Sequence, residues 1–109
     1  MTNPVLELAR RHRSIRKYRA DPVPEAALAR ILEAGLRASS SGNMQVYSAV
    51  VTTDPKIRAA LGPAHFDQPM VQEAPALVTF CADFHRMRKW LELREAPENF
   101  DNFMSFMIA

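Results

Sequence analysis

The sequence contains a single cysteine, Cys81, and only three glycines. One cysteine cannot form an internal disulfide, which excludes the small disulfide-bonded scaffolds of secreted proteins. Three glycines leave little room for a glycine-rich phosphate loop, and neither a GxGxxG nor a Walker A pattern occurs. Because Cys81 lies in an apolar run, residues 77–81, we expect its side chain to be buried as a small hydrophobe.

Long apolar runs and a strong charge imbalance are also lacking. No apolar stretch approaches the roughly 20 residues that span a bilayer, and the N-terminus lacks the layout of a signal peptide. We therefore expect a cytoplasmic protein without a membrane partner. The net charge of +2 does not indicate a nucleic-acid-binding protein. The hydrophobic fraction of 48% and the length of 109 residues fit one folded domain, or part of one.

Two helices are indicated in the first third of the chain. Thr2 or Asn3 before Pro4 is typical of an N-cap followed by proline at the first helical position, which predicts a short helix to about Arg11. A second helix is predicted to begin at Pro24. Apolar residues recur along it at i, i+3, i+4, i+7 and i+8, which predicts a buried face. That face consists of Leu28, Ile31, Leu32, Gly35 and Leu36.

Two strands are predicted at residues 46–52 and 76–82, where the chain is apolar and rich in β-branched side chains. The second run is continuous, as in a strand covered on both faces of its sheet. Residues 53–55, Thr-Asp-Pro, repeat the pattern of a cap followed by proline, which predicts a short helix over residues 56–61. The other expected elements are a loop with a turn or two of helix over 65–73, and a helix over 84–95.

The chain ends on an apolar stripe with helical spacing, formed by Phe100, Phe103, Met104 and Met107. The sequence stops at Ala109 without a glycine, a polar cap or a basic last turn. One interpretation is a truncated chain. The other is an ordinary C-terminal helix that docks its tail in the core, and the pattern alone leaves both open.

A basic segment covers residues 10–19, of which six are lysine or arginine. Guanidinium groups form bidentate hydrogen bonds with phosphate, and a serine hydroxyl adds a donor. Arg13 and Arg16 are three residues apart with Ser14 between them, so in a loop or a first helical turn all three can converge on one phosphate. A solvated basic surface and a nucleic-acid-binding arm stay open, although only Tyr18 is at hand for base stacking.

Residues 39–45, Ser-Ser-Ser-Gly-Asn-Met-Gln, lie between the second helix and the first strand. Small hydroxyl and amide groups on a tight turn can closely approach the polar edge of a flat ligand, although simple termination of the helix explains the same residues. Gln68 taken alone is most simply a solvated loop residue. The spacing of His65, Cys81 and His85 does not match that of metal ligands, so no metal site is predicted.

Seven motifs follow one another along the chain. They are residues 12–18 (HRSIRKY), 21–24 (DPVP), 31–34 (ILEA), 38–45 (ASSSGNMQ), 50–54 (VVTTD), 73–78 (EAPALV) and 80–83 (FCAD). In this order and spacing they resemble the nitroreductase family, and the last motif is similar to the NADPH-dependent, oxygen-insensitive nitroreductase and flavin-reductase branch. Tyr47 stands where many members have tryptophan, and Val46 where many have proline.

The resemblance implies an α+β, nitroreductase-like fold in which a central sheet is flanked by helices, with residues 1–109 as the N-terminal portion of a single domain. Family members are roughly twice this long. We therefore expect the fold to be incomplete and the helix containing Phe103 to continue past Ala109. The resemblance also implies an intertwined homodimer with FMN at the subunit interface.

Seven cofactor-binding residues follow from the resemblance: His12, Arg13, Ser14 and Arg16 at the FMN phosphate and ribityl end, Ser40 with Asn43 nearby at the isoalloxazine, often from the partner subunit, and Gln68 at the pyrimidine edge. No catalytic side chain is implied, because the flavin supplies the difficult chemistry.

The implied reaction is ping-pong hydride transfer, in which NAD(P)H is the co-substrate and a nitroaromatic, a quinone or a flavin is the electron acceptor. An alternative is a non-catalytic fragment that self-associates through exposed apolar helix surface, chiefly the C-terminal stripe. A third interpretation is a small basic module that binds nucleic acid or phosphate. The partners expected of an FMN oxidoreductase do not include nucleic acid.

Overall fold

The computed structural model describes residues 3–98 and 101–108. Thr2, Asn99, Phe100 and Ala109 lie outside the described residues, so the expectations that involve them are not addressed. No described helix is long and apolar enough to cross a membrane. The helices and strands are α1 (Pro4–Arg11), α2 (Glu25–Gly35), β1 (Tyr47–Thr52), α3 (Pro55–Leu61), α4 (Pro69–Glu73), β2 (Leu77–Ala82), α5 (His85–Leu93) and α6 (Asn102–Ile108), with single 3₁₀ turns at Ser41–Asn43 and Gly62–His65.

Two short helices begin as the sequence predicts. The side chain of Asn3 accepts hydrogen bonds from the backbone N–H groups at the start of α1, with Pro4 in the first helical position. Asp54 caps α3 in the same way, and its Oδ1 lies 2.7 Å from the backbone nitrogen of Lys56. Both caps satisfy N–H groups that have no partner within the helix.

The sheet consists of β1 and β2, which pair in antiparallel fashion from Tyr47 opposite Ala82 to Thr52 opposite Leu77. The connection between the strands contains α3 and α4. Arg58 on α3 donates hydrogen bonds from Nη1 to the carbonyl oxygens of Thr53 and Pro75, the latter at 3.2 Å. The side chain therefore ties together the two chain segments that leave and enter the sheet.

Most predicted boundaries agree with the structure within two residues, and the helical turns expected in residues 65–73 form α4. The exception is the end of α2. We expected the serine run to end this helix, but α2 ends at Gly35, four residues before Ser39. Residues 37–40 instead form a turn and irregular chain that lead into the first strand.

The buried core of the described residues is small. Its apolar side chains are Val46, Val71, Ala74 and Phe84. The radius of gyration is 17.8 Å, whereas a compact domain of this size has one of about 13 Å. The chain is therefore open, and much of its apolar surface is accessible.

The expected buried face of α2 is not buried. Ile31 is 61% exposed, and Leu36 is also exposed. Between α2 and the sheet lies an apolar groove of about 480 Å³, here called the sheet groove and lined by Ile31, Leu32, Gly35, Leu36, Tyr47, Ala49, Val78 and Phe80. The prediction was wrong because the described residues cover this face only in part, leaving Leu28 and Leu32 half-buried.

Two expectations for β2 were wrong for the same reason. The strand is not covered on both faces, since Phe80 is 68% exposed. Cys81, expected to be buried, is an exposed free thiol. In a two-stranded sheet each strand has one hydrogen-bonded neighbour, and no further layer of described residues packs on this end of β2.

The predicted C-terminal helix is present as α6. Its start is capped by Asp101, whose Oδ1 accepts a hydrogen bond of 2.7 Å from the backbone N–H of Met104. Phe103, Met104, Phe106 and Met107 are all exposed. The described part of this helix therefore does not dock in the core.

Candidate functional site

The basic segment begins in the last turn of α1, which contains Arg10 and Arg11. The helix closes with a hydrogen bond of 3.2 Å from the backbone N–H of His12 to the carbonyl oxygen of Ala9. Residues 12–19 then run without regular structure, and every side chain in this stretch is exposed. The segment therefore holds its cations at the surface.

Ion pairs flank the segment on both sides. Arg10 lies 3.3 Å from Glu7 within α1, and Arg19 lies 2.6 Å from Asp21. Both pairs are exposed and each contributes little to stability. They nevertheless engage Glu7 and Asp21, the acidic residues that are nearest to the segment in sequence.

The inner cations of the segment are different. Within residues 3–98 and 101–108, neither Arg13 nor Arg16 forms an ion pair, and the hydroxyl of Ser14 makes no hydrogen bond. Tyr18 closes the turn, because its hydroxyl donates to the carbonyl oxygen of Ile15 at 3.0 Å. Two guanidinium groups and a hydroxyl are thus available to an external anion.

The serine-rich turn, residues 40–45, forms a cluster of hydrogen bonds. The Oγ of Ser40 accepts a bond of 3.1 Å from the backbone N–H of Gln45, and the Ser40 carbonyl accepts one of 3.0 Å from the N–H of Asn43. The side-chain amide of Gln45 also donates to Oδ1 of Asn43 at 3.4 Å. The structure therefore brings Ser40 and Asn43 together, as expected.

The backbone of this turn is left-handed at three positions, with φ of +55° at Gly42, +54° at Asn43 and +50° at Gln45. Glycine adopts this conformation freely and asparagine often does, whereas for glutamine it costs about 1–2 kcal/mol. Such conformations persist where the surroundings impose them. Contacts of the turn with the rest of the fold are therefore important for its shape.

Those contacts come from the start of α5. The Nη2 of Arg86 donates a hydrogen bond of 2.6 Å to the carbonyl oxygen of Gln45. At the next residue of the chain, the carbonyl oxygen of Val46 accepts a hydrogen bond of 2.8 Å from the backbone N–H of Asp83, three residues before Arg86. The turn and Val46, the residue before β1, are thereby bonded to the segment that leads into α5.

Asp83 connects the same two segments through its side chain. Its carboxylate accepts hydrogen bonds from the hydroxyl of Ser48 and from the backbone N–H of His85, the latter at 3.0 Å. The hydrogen bond from Ser48 lowers the pKa of Asp83, with further lowering by the His85 amide and by the positive charges of His85 and Arg86. The carboxylate therefore stays ionised, and keeps both hydrogen bonds, to lower pH than an ordinary aspartate would.

Gln68 lies apart from both groups. It is the exposed residue just before α4, where its backbone N–H donates to the carbonyl oxygen of His65 at 3.3 Å and its own carbonyl accepts from Val71 at 3.0 Å. No hydrogen bond or ion pair between described residues joins Gln68, the serine-rich turn and residues 12–16. The seven expected site residues thus form three groups that share no hydrogen bond or ion pair, and all of them are exposed except Ser40, which is half-buried.

Sequence reasoning missed two residues, Arg86 and Ser48, whose hydrogen bonds join the turn and β1 to the segment that begins α5. Arg86 is 41 positions from Gln45, and Ser48 is 35 positions from Asp83. Asp83 itself belongs to the motif at residues 80–83, but nothing in that motif indicates its partner. Only the pairing of β1 with β2 brings these residues together.

Comparison with known proteins bears on the whole chain. Over 85 residues it is 49% identical to a protein named NADH dehydrogenase from Thermus thermophilus, a match to 75% of this chain and 42% of that protein. The structure matches B. megaterium NfrA2 with a TM-score of 0.90, at 30% identity, over 98% of this chain and 44% of that one. It also matches the NADPH:FMN oxidoreductase of Vibrio harveyi, whose structure is a complex with NAD+, with a TM-score of 0.80 at 32% identity.

The chain thus spans about two fifths of the length of these relatives. Within that share the fold is shared almost throughout, with 97% of this chain superposing on the Vibrio harveyi enzyme. The model of the nitroreductase family matches residues 9–101, which include the basic segment, the serine-rich turn and both strands. This chain belongs to the nitroreductase family and has the α+β fold of that family.

Proposed function

We propose that residues 1–109 form the N-terminal portion of a single nitroreductase domain and carry part of its FMN site. The whole protein would be an NAD(P)H-dependent oxidoreductase that reduces a nitroaromatic, a quinone or a flavin by ping-pong hydride transfer. The proposal includes a cytoplasmic location and a homodimer. Its central support is that the inner cations of the basic segment have no acidic partner among the described residues, whereas its outer arginines, Arg10 and Arg19, are both paired. Of these inner cations, Arg11, Arg13, Arg16 and Lys17, the two that flank Ser14 are Arg13 and Arg16.

The basic segment suits the phosphate end of FMN. Arg13 and Arg16 are exposed, so they can turn their planar donor groups towards a phosphate without breaking an existing ion pair. The hydroxyl of Ser14 adds a neutral donor between them. His12, at the end of α1, is the fourth residue that we place at the phosphate and ribityl end.

The serine-rich turn suits the edge of a flat polar ring. Since Ser40 accepts a hydrogen bond through Oγ, its hydroxyl proton stays available to donate. Asn43 is exposed beside it, and Gly42 has no side chain to block approach. We place Gln68 at the pyrimidine edge, where an amide offers both a donor and an acceptor.

FMN, when bound, supplies the hydride-transfer chemistry. The residues of this chain then have three tasks, which are to hold the phosphate, to fix the orientation of the ring and to offer hydrogen bonds at its edge. None of these tasks needs an acid–base pair, so we assign no catalytic side chain.

The homodimer is supported by the exposed apolar surface. The sheet groove and the described apolar residues of α6 are accessible, and exposed apolar surface of this kind marks sites of association. The same surface favours the alternative, a fragment that self-associates without flavin. Sedimentation velocity with and without FMN separates the two, because only an FMN enzyme has flavin absorbance that migrates with the protein.

The activity is tested with the protein as its gene encodes it. We expect purification to yield, or added FMN to produce, the absorbance bands of a bound flavin. NADH and NADPH oxidation is then measured separately with a quinone, a nitroaromatic and free FMN as acceptor. A protein that binds no FMN and oxidises neither nucleotide with any acceptor contradicts the proposed function.

A further inference from the structure

Among the described residues, the hydrogen bond that reaches into the serine-rich turn from another element comes from the side chain of Arg86, while the backbone of Asp83 bonds the next residue, Val46. Its internal hydrogen bonds, from Gln45 to Ser40 and from Asn43 to Ser40, all lie within six residues of chain. They leave the left-handed conformation of Gln45 without restraint from another element. The bond from Arg86 to the Gln45 carbonyl supplies that restraint across 41 residues.

The geometry of this bond suits a fixed contact. The distance of 2.6 Å is short, as expected when a guanidinium donates to a carbonyl. The acceptor belongs to the peptide that follows Gln45, so the bond restrains the ψ angle of the residue whose φ is left-handed. Removing the donor leaves that peptide free to rotate out of the left-handed region.

The start of α5, which carries Arg86, is itself well anchored. Asp83 bonds to Val46 through its backbone and to Ser48 through its carboxylate, and the same carboxylate caps the N–H of His85. Phe84 adds buried apolar contact at this point. The guanidinium is therefore presented to the turn from a fixed base rather than from a loose surface helix.

We propose that Arg86 is a positioning residue for the FMN site: by holding the Gln45 carbonyl, it keeps Ser40 and Asn43 in the arrangement that meets the flavin ring. This inference rests on the proposed function for its ligand. The contact between Arg86 and the turn does not depend on that function, because its effect on amide exchange in the turn can be measured without flavin.

The test compares Arg86→Ala, Arg86→Lys and the control Lys89→Ala in the protein as its gene encodes it. Lys89 lies one turn further along α5 and pairs with Glu92 on the same helix, so its removal takes away one exposed positive charge without touching the turn. The first measurement is hydrogen–deuterium exchange at the backbone amides of residues 43–45. The second is FMN affinity, with the visible circular dichroism of the bound flavin.

We expect Arg86→Ala to speed exchange at residues 43–45, to weaken FMN binding by about tenfold, the effect of one charge-assisted hydrogen bond, and to change the flavin dichroism. Arg86→Lys should recover part of each effect, because an ammonium also donates to a carbonyl. Lys89→Ala should change none of them.

Equal exchange and equal FMN affinity in Arg86→Ala and Lys89→Ala would overturn the inference. Faster exchange with unchanged FMN affinity and dichroism overturns it as well, because Arg86 would then hold a turn that does not orient the flavin. If the unsubstituted protein binds no FMN, the proposed function fails, and the exchange comparison alone decides whether Arg86 holds the turn.

Discussion

The side-chain hydroxyl of Ser48 donates a hydrogen bond to the carboxylate of Asp83, 35 residues away. Ser48 lies in β1, and Asp83 follows β2 directly. The bond therefore extends the pairing of the two strands by one side-chain contact. It also fixes the residue that caps the first turn of α5.

Replacement of this hydroxyl should loosen the junction. We expect Ser48→Ala to lower the midpoint of thermal unfolding, because the Asp83 carboxylate loses a donor that lies on a paired strand. The matched control is Ser41→Ala, at an exposed position in the serine-rich turn. An equal midpoint for both variants, measured by circular dichroism, would show that the contact has no role in stability.

The same junction should respond to acid. The pKa of Asp83 is lower in the folded chain than its ordinary value, chiefly because of the Ser48 hydrogen bond. A lowered folded-state pKa stabilises the fold above the unfolded-state pKa, near pH 4, and this contribution disappears as the pH falls through the folded-state value. We expect Asp83→Asn to weaken the loss of stability that follows as the pH falls below about 4.

The control for acid unfolding is Glu33→Gln on the exposed surface of α2. It should leave the acid limb of the stability curve unchanged, as measured by urea unfolding at each pH. If stability falls as steeply with decreasing pH in Asp83→Asn as in Glu33→Gln, Asp83 is not the source of this pH dependence.

The cap of α3 offers a prediction with a known magnitude. Asp54→Ala removes the acceptor of two backbone N–H groups and should lower the free energy of unfolding by about 1 kcal/mol. Asp54→Asn keeps a capping oxygen and should cost much less. Chemical denaturation of both variants measures the difference, and an equal loss in the two would rule out capping as the cause.

The sheet groove should control self-association. Phe80→Asp places a charge in this groove, so we expect it to weaken association in sedimentation velocity. Ile57→Asp makes the same change at a comparably exposed apolar position, 53% against 68%, on α3 and outside the groove. Equal association of the two variants would remove the groove from the interface.

The sequence predicts local features of this fold well. The caps at Asn3 and Asp54 require only neighbouring residues, and the helices that follow them lie where expected. The strands also begin within one residue of their predicted positions. In each case the determining interactions lie within a few positions along the chain.

Burial is predicted poorly, because it depends on surfaces that are distant in sequence. The spacing of Ile31 and the apolar run around Cys81 indicate faces that could be covered, but both residues are exposed. Long-range hydrogen bonds fail for the same reason. Arg86 shows no pattern that indicates its contact with Gln45, whereas Arg13, Ser14 and Arg16 are recognisable because their spacing alone suits a phosphate.

The binding of FMN through the basic segment is the central claim, and a fluorescence titration of FMN tests it most directly. We expect the protein to quench FMN fluorescence, and the double variant Arg13→Ala/Arg16→Ala to bind FMN at least tenfold, and up to about a hundredfold, more weakly. Arg37→Ala, an exposed arginine outside the segment, should bind FMN as the unsubstituted protein does. Absence of quenching, or equal affinity in the double variant and the unsubstituted protein, would contradict the account.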